Sequence, residues 1–136
     1  MIKKMLIALA MMAALVGAMA VAPSAASAAP TTLAACSPHV SLQPPYSKFN
    51  GTEVWANWNI CFTTTGPWEV KLERKRWYGW EKLDSYKATV KAYVGYSASL
   101  SYHCDGQGTY TYRLNGRYDN SVGTYYYYSS ETRFAC

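Results

Sequence analysis

Apolar and polar positions alternate most cleanly between residues 52 and 63. Val54, Ala56, Trp58, Ile60 and Phe62 fall on one side, and Trp55, Asn57, Asn59 and Cys61 on the other. A period of two over that length predicts a strand with one face buried and the other in solvent. The same period recurs along the chain. Trp68, Val70 and Leu72 alternate over about 68–77, Val90, Ala92 and Val94 and then Leu100 and Tyr102 over about 86–103, and Tyr110, Tyr112 and Leu114 over about 108–117. Further strands are expected over about 37–43, 80–86 and 122–135. Turn chemistry punctuates them at Pro44-Pro45, Asn50-Gly51, Gly66-Pro67, Tyr78-Gly79 and Asp119-Asn120. No helix-length periodic segment, repeat or low-complexity run occurs within 36–136. The expectation is an all-β domain of about seven short antiparallel strands.

Residues 1–28 do not share this pattern. Lys3 and Lys4 precede a near-continuous apolar run from Met5 to Ala20, and Ala26-Ser27-Ala28 ends it with small residues. This is the layout of a secretion signal cut before Ala29. Residues 29–35 read as a flexible lead-in, and 36–136 as a single domain. No other stretch is apolar and long enough to span a bilayer, so a secreted, extracellular location is expected, with no membrane partner after cleavage.

Secretion makes the four cysteines a disulfide framework. The midpoint of Cys36 and Cys61 falls within Ser47–Gly51, and that of Cys104 and Cys136 within Asp119–Ser121. Antiparallel strands folded at those turns bring each pair face to face, so Cys36–Cys61 and Cys104–Cys136 are expected to staple two hairpins. In the second hairpin the bridge sets Tyr112 opposite Tyr128 and Leu114 opposite Tyr126, two apolar pairs on one face. In the first it sets Val40 opposite Asn57 and Leu42 opposite Trp55, which mixes faces. Either a bulge at Pro44-Pro45 or an offset register accounts for that.

Asp105 followed by Gly108-Thr109-Tyr110-Thr111-Tyr112 resembles the Asp…Gly-x-Tyr-x-Cys stretch that opens strand F of immunoglobulin-type domains. The resemblance implies an immunoglobulin-like antiparallel β-sandwich with Tyr110 as the tyrosine corner and Trp68 as the core tryptophan. Tyr112 stands where that family places its core cysteine, so no inter-sheet disulfide forms there. The chain also resembles the small secreted bacterial α-amylase inhibitors, β-sandwich proteins with two consecutive local disulfides and an exposed Trp-Arg-Tyr turn. Arg76-Trp77-Tyr78 is the nearest stretch, in a different order and outside the Cys36–Cys61 loop.

The search for catalytic chemistry finds little. His39 and His103 are the two histidines, far apart and without a zinc spacing. Oxidised cysteines are neither nucleophiles nor ligands. Glu69 and Glu73 share a strand face but stand roughly 13 Å apart at ~3.3 Å per residue, too far for a glycosidase pair. Asp105-Gly106-Gln107-Gly108 and Asp119-Asn120 lack the alternating oxygens of a calcium loop and read as turns. Asn50-Gly51-Thr52 is formally a glycosylation sequon, but Asn-Gly already serves as a turn. The expectation is no enzyme, no metal and no cofactor.

Charge and aromatic content redirect the search. Loss of Lys3 and Lys4 lowers the formal net charge from +5 to +3. Lys71, Arg74, Lys75, Arg76, Lys82, Lys87 and Lys91 are interleaved with Glu69, Glu73, Glu81 and Asp84, which argues against a nucleic-acid stripe. The chain holds 13 Tyr, 5 Trp and 3 Phe, too many rings for one small core. With Tyr126 and Tyr128 inward, Tyr125 and Tyr127 project outward beside Thr111, Arg113, Lys71 and Lys75. Trp77, Tyr78 and Trp80 follow at a hairpin where Trp77 is expected opposite Trp80 and Arg76 opposite Glu81. Rings stack on sugars or anchor protein contacts, and Arg and Lys add charge and hydrogen bonds. The leading expectation is a non-catalytic binding domain for a glycan or an extracellular protein. The alternatives are a hydrolase inhibitor of the α-amylase type and a structural or self-associating envelope protein. Trp55 with Asn57 and Asn59 forms a second candidate patch.

Overall fold

The computed structural model describes residues 30–136, and the leader expected over 1–28 lies outside them. Two five-stranded antiparallel sheets make up the fold, an all-β sandwich of the expected immunoglobulin-like kind. The first holds β1 (Thr31–Ala34), β2 (His39–Leu42), β3 (Tyr46–Lys48), β4 (Glu53–Cys61) and β7 (Val94–His103), in the order β1-β7-β4-β2 with β3 also beside β4. The second holds β5 (Gly66–Arg76), β6 (Gly79–Val90), β8 (Thr109–Asp119), β9 (Thr124–Tyr128) and β10 (Thr132–Ala135), in the order β10-β8-β5-β6 with β9 also beside β8. Residues 31–34, read from the sequence as part of a lead-in, are an edge strand on β7. Among the described residues the helical content is one 3-10 turn at Phe49–Gly51, and no helix is long and apolar enough to cross a membrane.

Alternation dictates which faces meet. Val54, Ala56, Trp58, Ile60 and Phe62 from one sheet bury against Trp68, Val70, Leu72, Tyr112, Leu114 and Tyr118 from the other. Each fully buried large side chain contributes on the order of 2–3 kcal/mol. Trp68 is buried in the middle of this core. Trp58 lies 6.1 Å from it by ring centroids and Phe62 5.6 Å, while Phe62 and Tyr118 stack at 3.8 Å with planes 3° apart. Room for Trp68 comes from Gly116 on β8, where a methyl group would collide with the indole.

Both disulfides have the expected connectivity, Cys36–Cys61 and Cys104–Cys136. Neither closes a simple hairpin. β1 and β2 lie at opposite edges of their sheet, so Ala35–Pro38 crosses the end of it. Cys36 pins that crossing: its N–H donates to the Tyr93 carbonyl (3.1 Å) and its sulfur joins Cys61 at the end of β4. Cys104 follows β7 and Cys136 follows β10, so the second bridge ties one sheet to the other. The registers shift accordingly. Val40 pairs with Ile60 and Leu42 with Trp58, which restores one apolar face, and the pairing slips by one more residue across Gln43–Pro45 before Tyr46 meets Trp55. Offset and bulge both occur.

A second irregularity lies in β6, whose register to β5 shifts between Leu72 and Glu73. The extra residue, Leu83, precedes Asp84, whose carboxylate accepts the N–H of Ser85 (2.8 Å) and that of Ser101 on β7 (3.1 Å). β1 pairs with β7 only over Val94–Ser97, so Asp84 occupies backbone that β1 leaves uncovered.

Gly116→Ala should destabilise the fold by about 1–3 kcal/mol through overpacking against Trp68. Urea denaturation followed by tryptophan fluorescence measures this, and an unchanged midpoint would show that Trp68 does not fill that space.

Candidate functional site

β5 and β6 close on the two-residue loop Trp77-Tyr78, with Arg76 opposite Gly79, Lys75 opposite Trp80 and Arg74 opposite Glu81. The pairing of Trp77 with Trp80 and of Arg76 with Glu81, read from the sequence, is therefore corrected. Gly79, at φ +125°, adopts a conformation that L side chains avoid, so it ends the loop instead of forming its centre. Trp77 is 93% exposed, the most open of the large apolar side chains in the described residues. Tyr78 is also exposed, its ring edge-on to Trp77 at 5.3 Å.

Trp80 is one step into β6 and turns to the outer face of the second sheet. The Arg113 guanidinium, on β8, lies 3.9 Å from the Trp80 ring centre and 4.6 Å from that of Tyr128 on β9. Lys75 approaches the same indole at 5.7 Å. A cation between two rings contributes about 0.5–2 kcal/mol per contact, depending on desolvation. Arg113 is fixed from beneath as well. Its Nε donates to Glu73 Oε2 (2.9 Å), and Asn115 Nδ2 donates to Glu73 Oε1 (3.1 Å). Glu73 is thus buried although its strand position faces outward. Further along the face, Glu69 lies 3.7 Å from Lys71 and 3.6 Å from Lys87.

The tyrosine strand is in the opposite phase from that expected. Tyr127 pairs with Gly116 and Tyr125 with Tyr118, both core-facing positions, while Tyr126 pairs with Arg117 and Tyr128 with Asn115 on the outer face. Tyr127 packs on Phe62 and Trp68, and Tyr126 and Tyr128 are exposed. Tyr125 belongs to the inner side but stays open at the sheet margin. The reason is the bridge: Cys104 lies in the other sheet, so it does not set the β8–β9 ladder. An odd slip exchanges the two faces of a strand. The outer constellation is therefore Trp80, Arg113, Tyr128, Lys75 and Lys71, with Trp77 and Tyr78 beyond it. Tyr125 and Tyr127 do not join it.

Among the described residues the hydroxyl of Tyr110 makes no hydrogen bond of the tyrosine-corner kind. Its ring lies beneath Arg74 and Arg76, at 4.7 and 5.2 Å from their guanidinium carbons. A groove of about 280 Å³ runs beside it, lined by Lys75, Arg76, Trp77, Tyr110, Thr111 and Arg133. Arg133 was not singled out in sequence because 122–135 reads as one strand. Ser129–Glu131 interrupt it, and β10 restarts with Arg133 opposite Thr111.

On the other sheet, Trp55 donates its indole N–H to Glu53 (2.6 Å) and carries Lys48 4.0 Å from its ring centre. Asn57 is bonded to Ser99, Gln43 and Tyr46, and Asn59 to His39. The second patch is thus internally satisfied. Among the described residues no group of three or more His, Cys, Asp or Glu gathers as metal ligands do.

No family model matches this chain, and no curated protein does. Among solved structures it is similar to part of beta-glucosidase 3B from Thermotoga neapolitana in complex with glycerol, at 11% identity and a TM-score of 0.40 over 73% of this chain. The chain spans 17% of that protein's length, and a likeness of this degree says nothing about activity.

Burial pushes the phenols of Tyr127, Tyr86 and Tyr112 above their ordinary 10.0, the last against the pull of Arg74. The folded chain keeps these protons at a pH where the unfolded chain releases them. Stability from this source is therefore full below about pH 10 and is lost as pH rises through the raised folded values. Urea midpoints taken from about pH 8 to 11 should be level and then fall, and Tyr127→Phe should make the fall shallower. A midpoint that stays level to pH 11 would contradict the burial of these hydroxyls.

Proposed function

We propose that this protein is a secreted, non-catalytic binding domain that contacts a glycan or an extracellular protein through the outer face of the β5–β6–β8–β9 sheet and the Trp77-Tyr78 tip. One observation carries the reading: Trp77 is 93% exposed at the end of a hairpin whose closure depends on Gly79. A tryptophan fully in water forgoes burial worth roughly 2–3 kcal/mol and adds nothing to the core. Such residues are the usual anchors of binding sites. The adjoining Trp80–Arg113–Tyr128 stack supports the tip, because its side chains are held in one arrangement before any ligand arrives, and pre-ordering lowers the cost of association.

A second reading has support from the same hairpin. A hairpin tip that presents Trp77 and Tyr78 to solvent can enter a concave cleft, which is what an inhibitor of a secreted hydrolase requires.

The mature protein should be retained by an insoluble glycan or by a component of culture supernatant, and Trp77→Ala/Trp80→Ala should lose about 2 kcal/mol or more of that binding. Retention of the variant at the unaltered level would sink the proposal. If the ligand is a hydrolase, its inhibition should disappear with Trp77→Ala alone.

A further inference from the structure

We propose that the ligand of this face is a carboxylated polysaccharide, held where β5 and β10 end beside Trp77. The inference rests on the binding reading above and narrows it to one class of ligand. The starting point is the bookkeeping of charge. Every carboxylate on the strands of the second sheet's outer face already has partners, and Glu131, in the loop before β10, lies beyond 4.0 Å of Arg133. Glu73 is held by Arg113 and Asn115, Glu69 by Lys71 and Lys87, and Asp119 by Arg117 (3.1 Å) and Thr124. Glu81, on the inner side, binds Arg74 (2.8 Å) and lies 3.9 Å from Arg76. Lys75 and Arg133 are exposed and have no carboxylate within 4.0 Å among the described residues. They border the groove of about 280 Å³ beneath Trp77, and no acidic side chain lines it.

Geometry selects the partner. β10 and β5 flank β8, so Lys75 and Arg133 stand about 10 Å apart across two strand spacings of ~4.8 Å. A linear chain with regularly spaced carboxylates can reach both, and the planar guanidinium of Arg133 suits a carboxylate's two oxygens. Trp77 and Tyr78 supply ring faces for the sugars between. A folded protein partner fits less well, because the middle of this face is built of ion pairs, whereas the centres of protein interfaces are depleted of charge. Duplex DNA fits less well too, because Glu69, Glu73 and Asp119 break the positive field beyond the groove.

The test is calorimetric titration of the full secreted protein with polygalacturonate, its fully methyl-esterified form, dextran sulfate and duplex DNA. Polygalacturonate should bind, with affinity falling roughly tenfold over a fourfold rise in salt as two cations regain counterions. Lys75→Gln/Arg133→Gln should weaken it by about the same factor at low salt, since it removes those contacts. The methyl ester should bind the unaltered protein no better than polygalacturonate binds the double variant. Both side chains are exposed, and an unchanged melting temperature confirms that the variant folds. Equal affinity for ester and acid, preference for dextran sulfate or DNA, or no effect of the double substitution would each overturn the carboxylated-ligand inference. If Trp77→Ala still abolishes glycan binding in those cases, the binding-domain reading survives. If Trp77→Ala changes neither glycan binding nor retention by culture supernatant, both fail.

Discussion

The contact on which the rest depends is that of Trp68 with Gly116. Trp68 can enter the space between the sheets only because β8 has no side chain at that point. Tyr127 lies opposite Gly116 in the next strand and settles against the same indole, at 6.3 Å between ring centres. That fixes the phase of β9, and phase in a strand is binary. Once Tyr127 turns inward, Tyr126 and Tyr128 must turn outward, and Tyr128 comes to lie over Arg113. The aromatic–cation stack on the outside is thus set by a steric vacancy on the inside. Tyr112, buried in the core, stacks on Phe134 at 4.7 Å.

This explains which parts of the molecule were legible in sequence. β4, β5 and β8 carry strong contrast between successive residues, so their faces could be assigned from the pattern alone. Tyr125–Tyr128 offers no contrast, since four identical residues fit either phase equally well. The reading had to borrow a register from Cys104–Cys136, and that bridge joins two sheets instead of two rungs of one ladder. Trp77, Trp80, Arg113 and Lys75 were found because rings and cations in excess of what a core can hold must lie outside. Arg133 was missed because the break at Ser129–Glu131 has no proline or glycine to announce it. Ser129 instead bonds Leu114 through both backbone and side chain, which holds the kink in place (3.1 and 2.8 Å).

The two outer faces of the sandwich differ in chemistry. On the first sheet, Asn57 is bonded to Ser99 and Gln43, Asn59 to His39, and Trp55 is engaged by Glu53 and Lys48. On the second, ion pairs run down the middle and uncompensated positive charge collects at one end. Placement of that charge follows from strand order, since β10 reaches the face only by departing from the line of β9.

Asp84 has a consequence for how the molecule tolerates its own company. A sheet margin with free amides is a template on which another chain can add a strand. Here a single bulge turns a carboxylate onto the Ser101 amide, so an incoming strand would face a negative charge where it needs an open donor. One extra residue in β6 thus occupies this edge amide, at the point where the short β1 stops short of covering its neighbour.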